Sequence, residues 1–475
     1  MAGRGLRLNA PGRFTSVRAI SRTTTRRPRE AAFTGISLDA LVLLFSAALA
    51  LHFIGLLSLV TGILDPLFND AVNRLGKGAD FFAVYKAGNN LLAGESVYNY
   101  TTTGDVPYAY PFRYLPSVGY SLGALFNVTY PWTAYWSWVL INEVLLVVNL
   151  YLTWRATPDR RIALVGMSLW LLFSPFYLEL FLGQFSFAMA SLFFWTGLAL
   201  HRSETGKIGP IWVTSLLLKT NSLIFLPLWL RFRMGRTVLI SLAVVVGLNL
   251  PYFLLVDGAW AEWSGNFASL GSGAVDPHPG NLGLPAFLET IQRDVPGTLP
   301  AMIAALPWGF AVLGLCGIVT LLAGPAQKLR LLALWICAYF LVFAEVWEHH
   351  YVMLLPAVML LVLFDVRLRP LALAAGIMLA LPTPYLLFSH GSPPLDYTVV
   401  DPQIFWSSTE VYLQHLSKLL PTMLLFSCLV TAIVQGEGAS IRRNIEERRR
   451  EYGAVYDAAG GKQRREGSTR RRQAA

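Results

Sequence analysis

The chain has 475 residues, 55% of them hydrophobic and 14% charged, with a mean hydropathy of +0.50. That balance excludes a soluble globular protein, because the apolar residues gather in runs long enough to cross a ~30 Å hydrocarbon layer as helices. The net charge of +10 does not mark a nucleic-acid binder either: residues 1–30 carry +7, residues 436–475 carry +5, and the body between them carries −2.

Taken in chain order, residues 1–35 read as a basic cytoplasmic tail. They also resemble a mitochondrial transit peptide in being rich in Arg, Ser and Thr, but the same Arg bias recurs in every short loop on the inner side. Residues 36–435 form the membrane domain. Hydropathy places spans near 38–62, 130–154, 162–178, 185–201, 237–256, 299–322, 329–346, 351–365, 371–388 and 416–434. The loops RATPDRR, HRSETGK, RFRMGR, PAQKLR and DVRLRP are short and basic, which assigns them to the cytoplasmic side. The segments 63–112, 257–298 and 389–415 are longer and richer in Asp, Pro, Trp and Tyr, as extracytoplasmic loops should be. Residues 436–475 form a second basic cytoplasmic tail, largely disordered.

Two segments resist simple spanning. Residues 114–128 are short and broken by Gly, so an interfacial or half-inserted helix is expected. Residues 208–230 have basic loops at both ends, so a single crossing would violate the charge rule; a re-entrant hairpin with Lys219 and Asn221 near its tip resolves this. The expectation is an all-α polytopic membrane protein of about 10–12 transmembrane helices, with both termini inside. Cys316, Cys337 and Cys428 all lie in apolar runs and read as small buried hydrophobes.

Polar residues capable of chemistry gather at the outer side. Asp80 opens DFFAVYKAGNNLLAGESVYNY, where Phe81, Val84, Tyr85, Gly88, Leu91 and Leu92 recur at helical spacing. This predicts an amphipathic helix lying on the outer surface, with Asp80 at its N-cap and its end near Gly94. An acid there either caps the helix or takes a proton from a substrate. Arg113, in YAYPFRYLP, is one of few outer cations and suits phosphate. Gln184 occupies an outer turn. Lys219 sits among apolar residues and must snorkel or serve a polar cavity. EVWEHHY (Glu345–Tyr351) packs two acids and two histidines into one turn; adjacent histidines diverge on a helix, so a shared metal is not expected, and one His meeting a phosphate or poising a proton is preferred. His278 and His390 are outer-loop histidines of lower weight. Asn99 and Asn127 begin glycosylation sequons of the kind that arise by chance.

These stretches together resemble glycosyltransferase family 87 across residues 78–365. The marks are DFFAVYKAGNNLLAGESVY, FRYLP, GQFSF, LLLKTNSLIFLPLWL and HHYVMLLPA, in order and on consistent sides. Leu115 and Thr220 stand where the family pattern has Pro. The resemblance implies a GT-C-type fold in the cytoplasmic membrane of a prokaryote, with an extracytoplasmic active site. It further implies transfer of a hexose, mannose foremost, from a polyprenyl-phosphate donor to a lipid or glycan hydroxyl with inversion. Asp80 is then the general base, with His349 or His350 and Arg113 facing the leaving phosphate. Tyr85, Lys86, Tyr98, Tyr114, Gln184, Lys219, Asn221 and Glu348 complete the expected substrate-binding set. No cofactor is needed beyond the lipid-linked donor, and no metal motif stands out. The rivals are a GT-C-type transferase of arabinose or glucose, a polymer ligase, and a lipid-linked sugar flippase or transporter. A transporter should carry midplane charges on two related halves, and no repeat is evident.

Overall fold

The computed structural model of the protein describes residues 35–63, 76–100, 106–107, 110–268, 280–297, 308–388 and 406–436. The two tails and the loop residues His278 and His390 therefore lie outside the described residues. Within them the secondary structure is helical, apart from one isolated antiparallel bridge between Asn281 and Trp347.

The first helix, α1 (Leu38–Thr61), starts where Ser37 Oγ accepts the Ala40 N–H at 3.1 Å and stops at Gly62, whose φ of 78° lies in the left-handed region. Then come α2 (Ala79–Leu92), α3 (Pro131–Ala156), α4 (Arg160–Leu172), α5 (Ser174–Leu182), α6 (Ser186–His201), α7 (Thr205–Leu218), α8 (Gly235–Leu255) and α9 (Ala259–Ala268). Among the described residues five helices are long and apolar enough to cross a membrane: α1, α3, α8, Pro325–Val342 and Ser408–Gly436. The pair α4 and α5, bent by 41°, makes a sixth if it is one broken span. The chain is thus a multi-pass membrane protein. Other runs that hydropathy marks as spans form shorter helices, among them Ser186–His201 and Arg369–Ala380, and the run near 299–322 is described only from Trp308 onward.

Two breaks in the helices have local causes. Pro175 has no N–H, so the Leu171 carbonyl four residues earlier loses its helical partner and the chain bends between α4 and α5. After α7 the backbone of Lys219 is extended (φ −146°, ψ 123°), and a 3₁₀ turn, Thr220–Phe225, leads into Leu226–Arg231. The chain folds back here: Trp212 Nε1 donates to the Ser222 carbonyl at 3.1 Å, and the rings of Trp212 and Trp229 lie 6.1 Å apart. Residues 208–230 thus fold back on themselves, with Lys219 and Asn221 at the bend. Segment 114–128 likewise resolves into Pro116–Val118, a π turn Gly119–Gly123 and Ala124–Phe126.

One expectation is overturned. The helix α2 does not lie on a surface, because every residue from Ala79 to Gly88 is buried. A Cβ on Gly88 would come within 2.1 Å of the Gly123 carbonyl carbon, so only glycine lets α2 press onto the π turn. Phe81 pairs edge-to-face with Phe126 and Tyr135, and Phe82 with Trp132, at centroid distances of 4.9–6.0 Å, while the Phe82 and Tyr135 rings are tilted at 6.1 Å. Each such pair adds about 0.5–1.5 kcal/mol beyond the area it buries. Burial between protein elements explains why the apolar positions of α2 run all round the helix.

Candidate active site

The residues around Asp80 are brought together by the turn between α5 and α6. Gly183 ends α5 with φ 69°, and its N–H and that of Gln184 both return to the Glu179 carbonyl, at 2.9 and 3.2 Å. Absence of a side chain at Gly183 matters twice: the backbone is left-handed, and a Cβ would stand 2.6 Å from the Phe81 Cβ. The turn is pinned from outside as well. Tyr135 Oη donates to the Leu180 carbonyl at 2.9 Å, Trp138 Nε1 donates to the Gln184 carbonyl at 3.0 Å, and the Gly78 N–H donates to the Phe181 carbonyl at 2.7 Å. That last bond ties the start of α2 to the end of α5, so one turn positions both Asp80 and Gln184.

Asp80 does not cap its helix. Gly78 is the N-cap, with φ 77°, and Asp80 is the second helical residue, making no capping bond. It stands in the first turn, where the helix end favours a negative charge. Its residue exposure is 9%, and its Oδ2 is buried without a hydrogen-bond partner. Burial drives the Asp80 carboxyl above the ordinary carboxylate range, opposed by the Gln184 side chain and by the charges of Lys219 and Arg113.

The Gln184 side chain is the hub. Its Oε1 accepts from Lys219 Nζ at 3.0 Å, from Tyr114 Oη at 3.1 Å and from the Phe185 N–H at 3.3 Å. Lys219 Nζ also donates to Ser186 Oγ at 2.9 Å. The ammonium therefore leaves the bend to serve the polar cluster and does not snorkel away. Arg113 donates through Nε to the Asn266 carbonyl at 3.2 Å and lies over the Tyr110 ring at 5.6 Å. Asn266, on α9, fastens this stretch by donating to the Phe112 carbonyl at 3.0 Å and to the Tyr98 carbonyl at 3.3 Å.

The 3₁₀ turn Glu348–Leu354 packs against both α5 and α6. It brings His349 into electrostatic range of Lys219, buried and with both ring nitrogens unpartnered. The two histidines, open alternatives in the sequence, differ here: His350 Nδ1 accepts the Trp347 N–H at 3.2 Å and so closes its own turn.

Several residues of the expected binding set make hydrogen bonds within the protein. Glu348 Oε2 accepts from Thr383 Oγ1 at 2.7 Å, its Oε1 accepts the Thr383 N–H at 3.1 Å, and Lys418 Nζ stands 3.3 Å from Oε1. That carboxylate joins its turn to the last helix. Tyr85 Oη donates to the Thr129 carbonyl at 2.7 Å, and Tyr98 Oη donates to the Tyr114 carbonyl at 3.2 Å. Asn221 donates to Tyr339 Oη at 2.9 Å beside an apolar crevice lined by Phe193, Phe225 and Met353. Lys86 is buried on α2.

One carboxylate was not anticipated. Glu179 is fully buried; its Oε1 accepts the Phe187 N–H at 2.8 Å, closing the 179–187 turn around Gln184, while its Oε2 has no hydrogen-bond partner. It lies within electrostatic range of both Lys219 and Asp80. Its only sequence signal is an acid inside the apolar run SPFYLELFL, a costly placement in a membrane segment. Among the described residues no three His, Cys, Asp or Glu converge as metal ligands. Comparison with protein-family models, with curated proteins and with solved structures finds no match to this chain.

Proposed function

We propose that this protein is a membrane glycosyltransferase of the GT-C type. It moves a hexose, mannose foremost, from a polyprenyl-phosphate donor to a lipid or glycan hydroxyl at the extracytoplasmic face of a prokaryotic cytoplasmic membrane. The observation that carries the reading is the Asp80 carboxylate: buried, with Oδ2 unpartnered, and fixed beside the Gln184–Lys219 pair and Arg113. A buried acid with one oxygen unpartnered is costly, and such placement is characteristic of a group held ready for a substrate proton.

In this reading the acceptor hydroxyl gives its proton to Asp80 as its oxygen forms a bond to the anomeric carbon. The bond from that carbon to the phosphate oxygen breaks, its electron pair leaves on the polyprenyl phosphate, and the centre inverts. The phosphate gains negative charge as it leaves, and Arg113 and His349 are the groups assigned to meet it. The unpartnered ring of His349 favours it over His350 for this role. Lys219 and Gln184 shape the donor pocket.

The test is transfer from a panel of polyprenyl-phosphate sugars by the purified protein in detergent or nanodiscs. Formation of a glycoside of inverted anomeric configuration supports the reading. Absence of transfer from every donor, with a folded protein, overturns it.

A further inference from the structure

A second polar cluster lies inside the bundle, near the middle of α1 and α3. His52 is buried; its Nδ1 lies 3.0 Å from Tyr177 Oη, and its Nε2 lies 3.0 Å from Glu143 Oε2. Tyr177 Oη donates its one proton to the Leu171 carbonyl at 2.8 Å. The proton in the His52–Tyr177 bond must then come from Nδ1, which fixes that side of the imidazole as a donor. The carbonyl that Tyr177 satisfies is the one left open by Pro175, which has no N–H to give. The chain His52 to Tyr177 to Leu171 therefore closes the break at which α4 bends into α5.

Two further contacts seat Tyr177. A Cβ on Gly55, one turn along α1, would come within 2.6 Å of the Tyr177 ring, so α1 holds a glycine where the ring presses. The His52 ring also stacks on Phe176 at 6.2 Å with 26° between planes. From the bend, α5 runs to Glu179, to the Phe181 carbonyl that anchors α2, and to Gly183 and Gln184.

We infer that His52 is a positioning residue: through Tyr177 it fixes the α4–α5 bend and thereby the relation of Gln184 to Asp80. Glu143 holds the far side of the ring and keeps the imidazole oriented. The consequence for catalysis rests on the glycosyl-transfer reading, but the mechanical claim does not.

The two ring nitrogens can be separated by isosteres, since an Asn amide nitrogen overlies Nδ1 of His and a Gln amide overlies Nε2. His52→Asn keeps the donation to Tyr177 and loses Glu143; His52→Gln does the reverse. Hydrogen exchange of the Gly183, Gln184 and Phe187 amides is read alongside transfer kinetics. We expect His52→Gln to speed that exchange and to lower kcat, each about tenfold, with KM unchanged, and His52→Asn to behave as wild type. Tyr177→Phe removes the donor to Leu171 and should repeat the His52→Gln result, which carries the test if His52→Gln does not fold. Equal behaviour of the Asn and Gln variants, or no change in exchange in His52→Gln and Tyr177→Phe, overturns the inference. If wild type transfers no sugar while the exchange pattern holds, the positioning chain stands and the glycosyl-transfer reading falls.

Discussion

Lys219 and Gln184, 35 positions apart in the chain, meet through a 3.0 Å hydrogen bond from the ammonium to the amide oxygen. The bond joins the bend after α7 to the α5–α6 turn. Lys219→Met should therefore do more than remove a charge. It takes one of three donors from Gln184 Oε1, removes the Lys219 bond to Ser186 Oγ, and strips two carboxylates, Asp80 and Glu179, of the Lys219 charge. We expect a stability loss of about 1.5–3 kcal/mol, in the range of hydrogen bonds to charged groups, and loss of donor binding. Lys219→Arg should recover part of the stability. Thermal unfolding in nanodiscs with a donor-binding assay checks both.

The pH profile follows from Asp80. A base must be ionised to accept a proton, so transfer should fall as pH drops through the Asp80 pKa, and burial sets that limb above the ordinary carboxylate range. Stability runs the other way. With the folded pKa above the unfolded value, the folded state holds the proton more tightly, so the stabilisation from this group is full below the unfolded pKa of about 3.9 and is lost as pH rises through the folded one. Measuring kcat/KM and melting temperature across the acid range, wild type against Asp80→Asn, should show the acid limb and the matching stability change vanish together.

Gly183→Ala tests the turn. The left-handed backbone costs about 1–2 kcal/mol for a residue with a Cβ, and the new methyl would meet the Phe81 Cβ at 2.6 Å. The strain is relieved by moving α2 away from α5, which displaces Asp80. Transfer should fall at least tenfold while α8, far from the contact in the chain, keeps its amide protection in hydrogen exchange.

Glu348 and Lys418 should report stability and not substrate affinity. Lys418 is fully buried, and its Nζ also donates to the Leu379 carbonyl at 2.8 Å and the Leu381 carbonyl at 2.5 Å. Removing one partner strands the other charge, which costs about 3–5 kcal/mol in buried pairs. Lys418→Met should therefore lower the melting temperature sharply. Glu348→Gln should lower it less, with KM for the donor unchanged in initial-rate measurements.

How much of this was legible in the sequence depends on the range of the interaction. The fold-back at Lys219 is expected from charge on its two flanks, and the end of α2 near Gly94 follows from a glycine with φ 76° two residues past Leu92; both are local. Asp80 as N-cap was not borne out, because Gly78, donating to Phe181 over a hundred residues away, sets where the helix begins. Hydropathy alone also marks 162–178 as one run, while the bend at Phe173 depends on a missing Pro175 N–H. Glu179 and His52 are not legible in the sequence, since each stands alone among apolar neighbours, and their partners Phe187, Tyr177 and Glu143 come together only on folding.

The central claim is that Asp80 takes the acceptor's proton, and Asp80→Asn tests it most directly. Asn has nearly the same size and removes a buried charge, so the variant should fold and be as stable as wild type or more so. Sugar transfer from the donor that wild type uses should fall about 10²–10⁴-fold, the usual contribution of a general base, with donor binding retained. Transfer by folded Asp80→Asn at a rate near that of wild type would contradict the account.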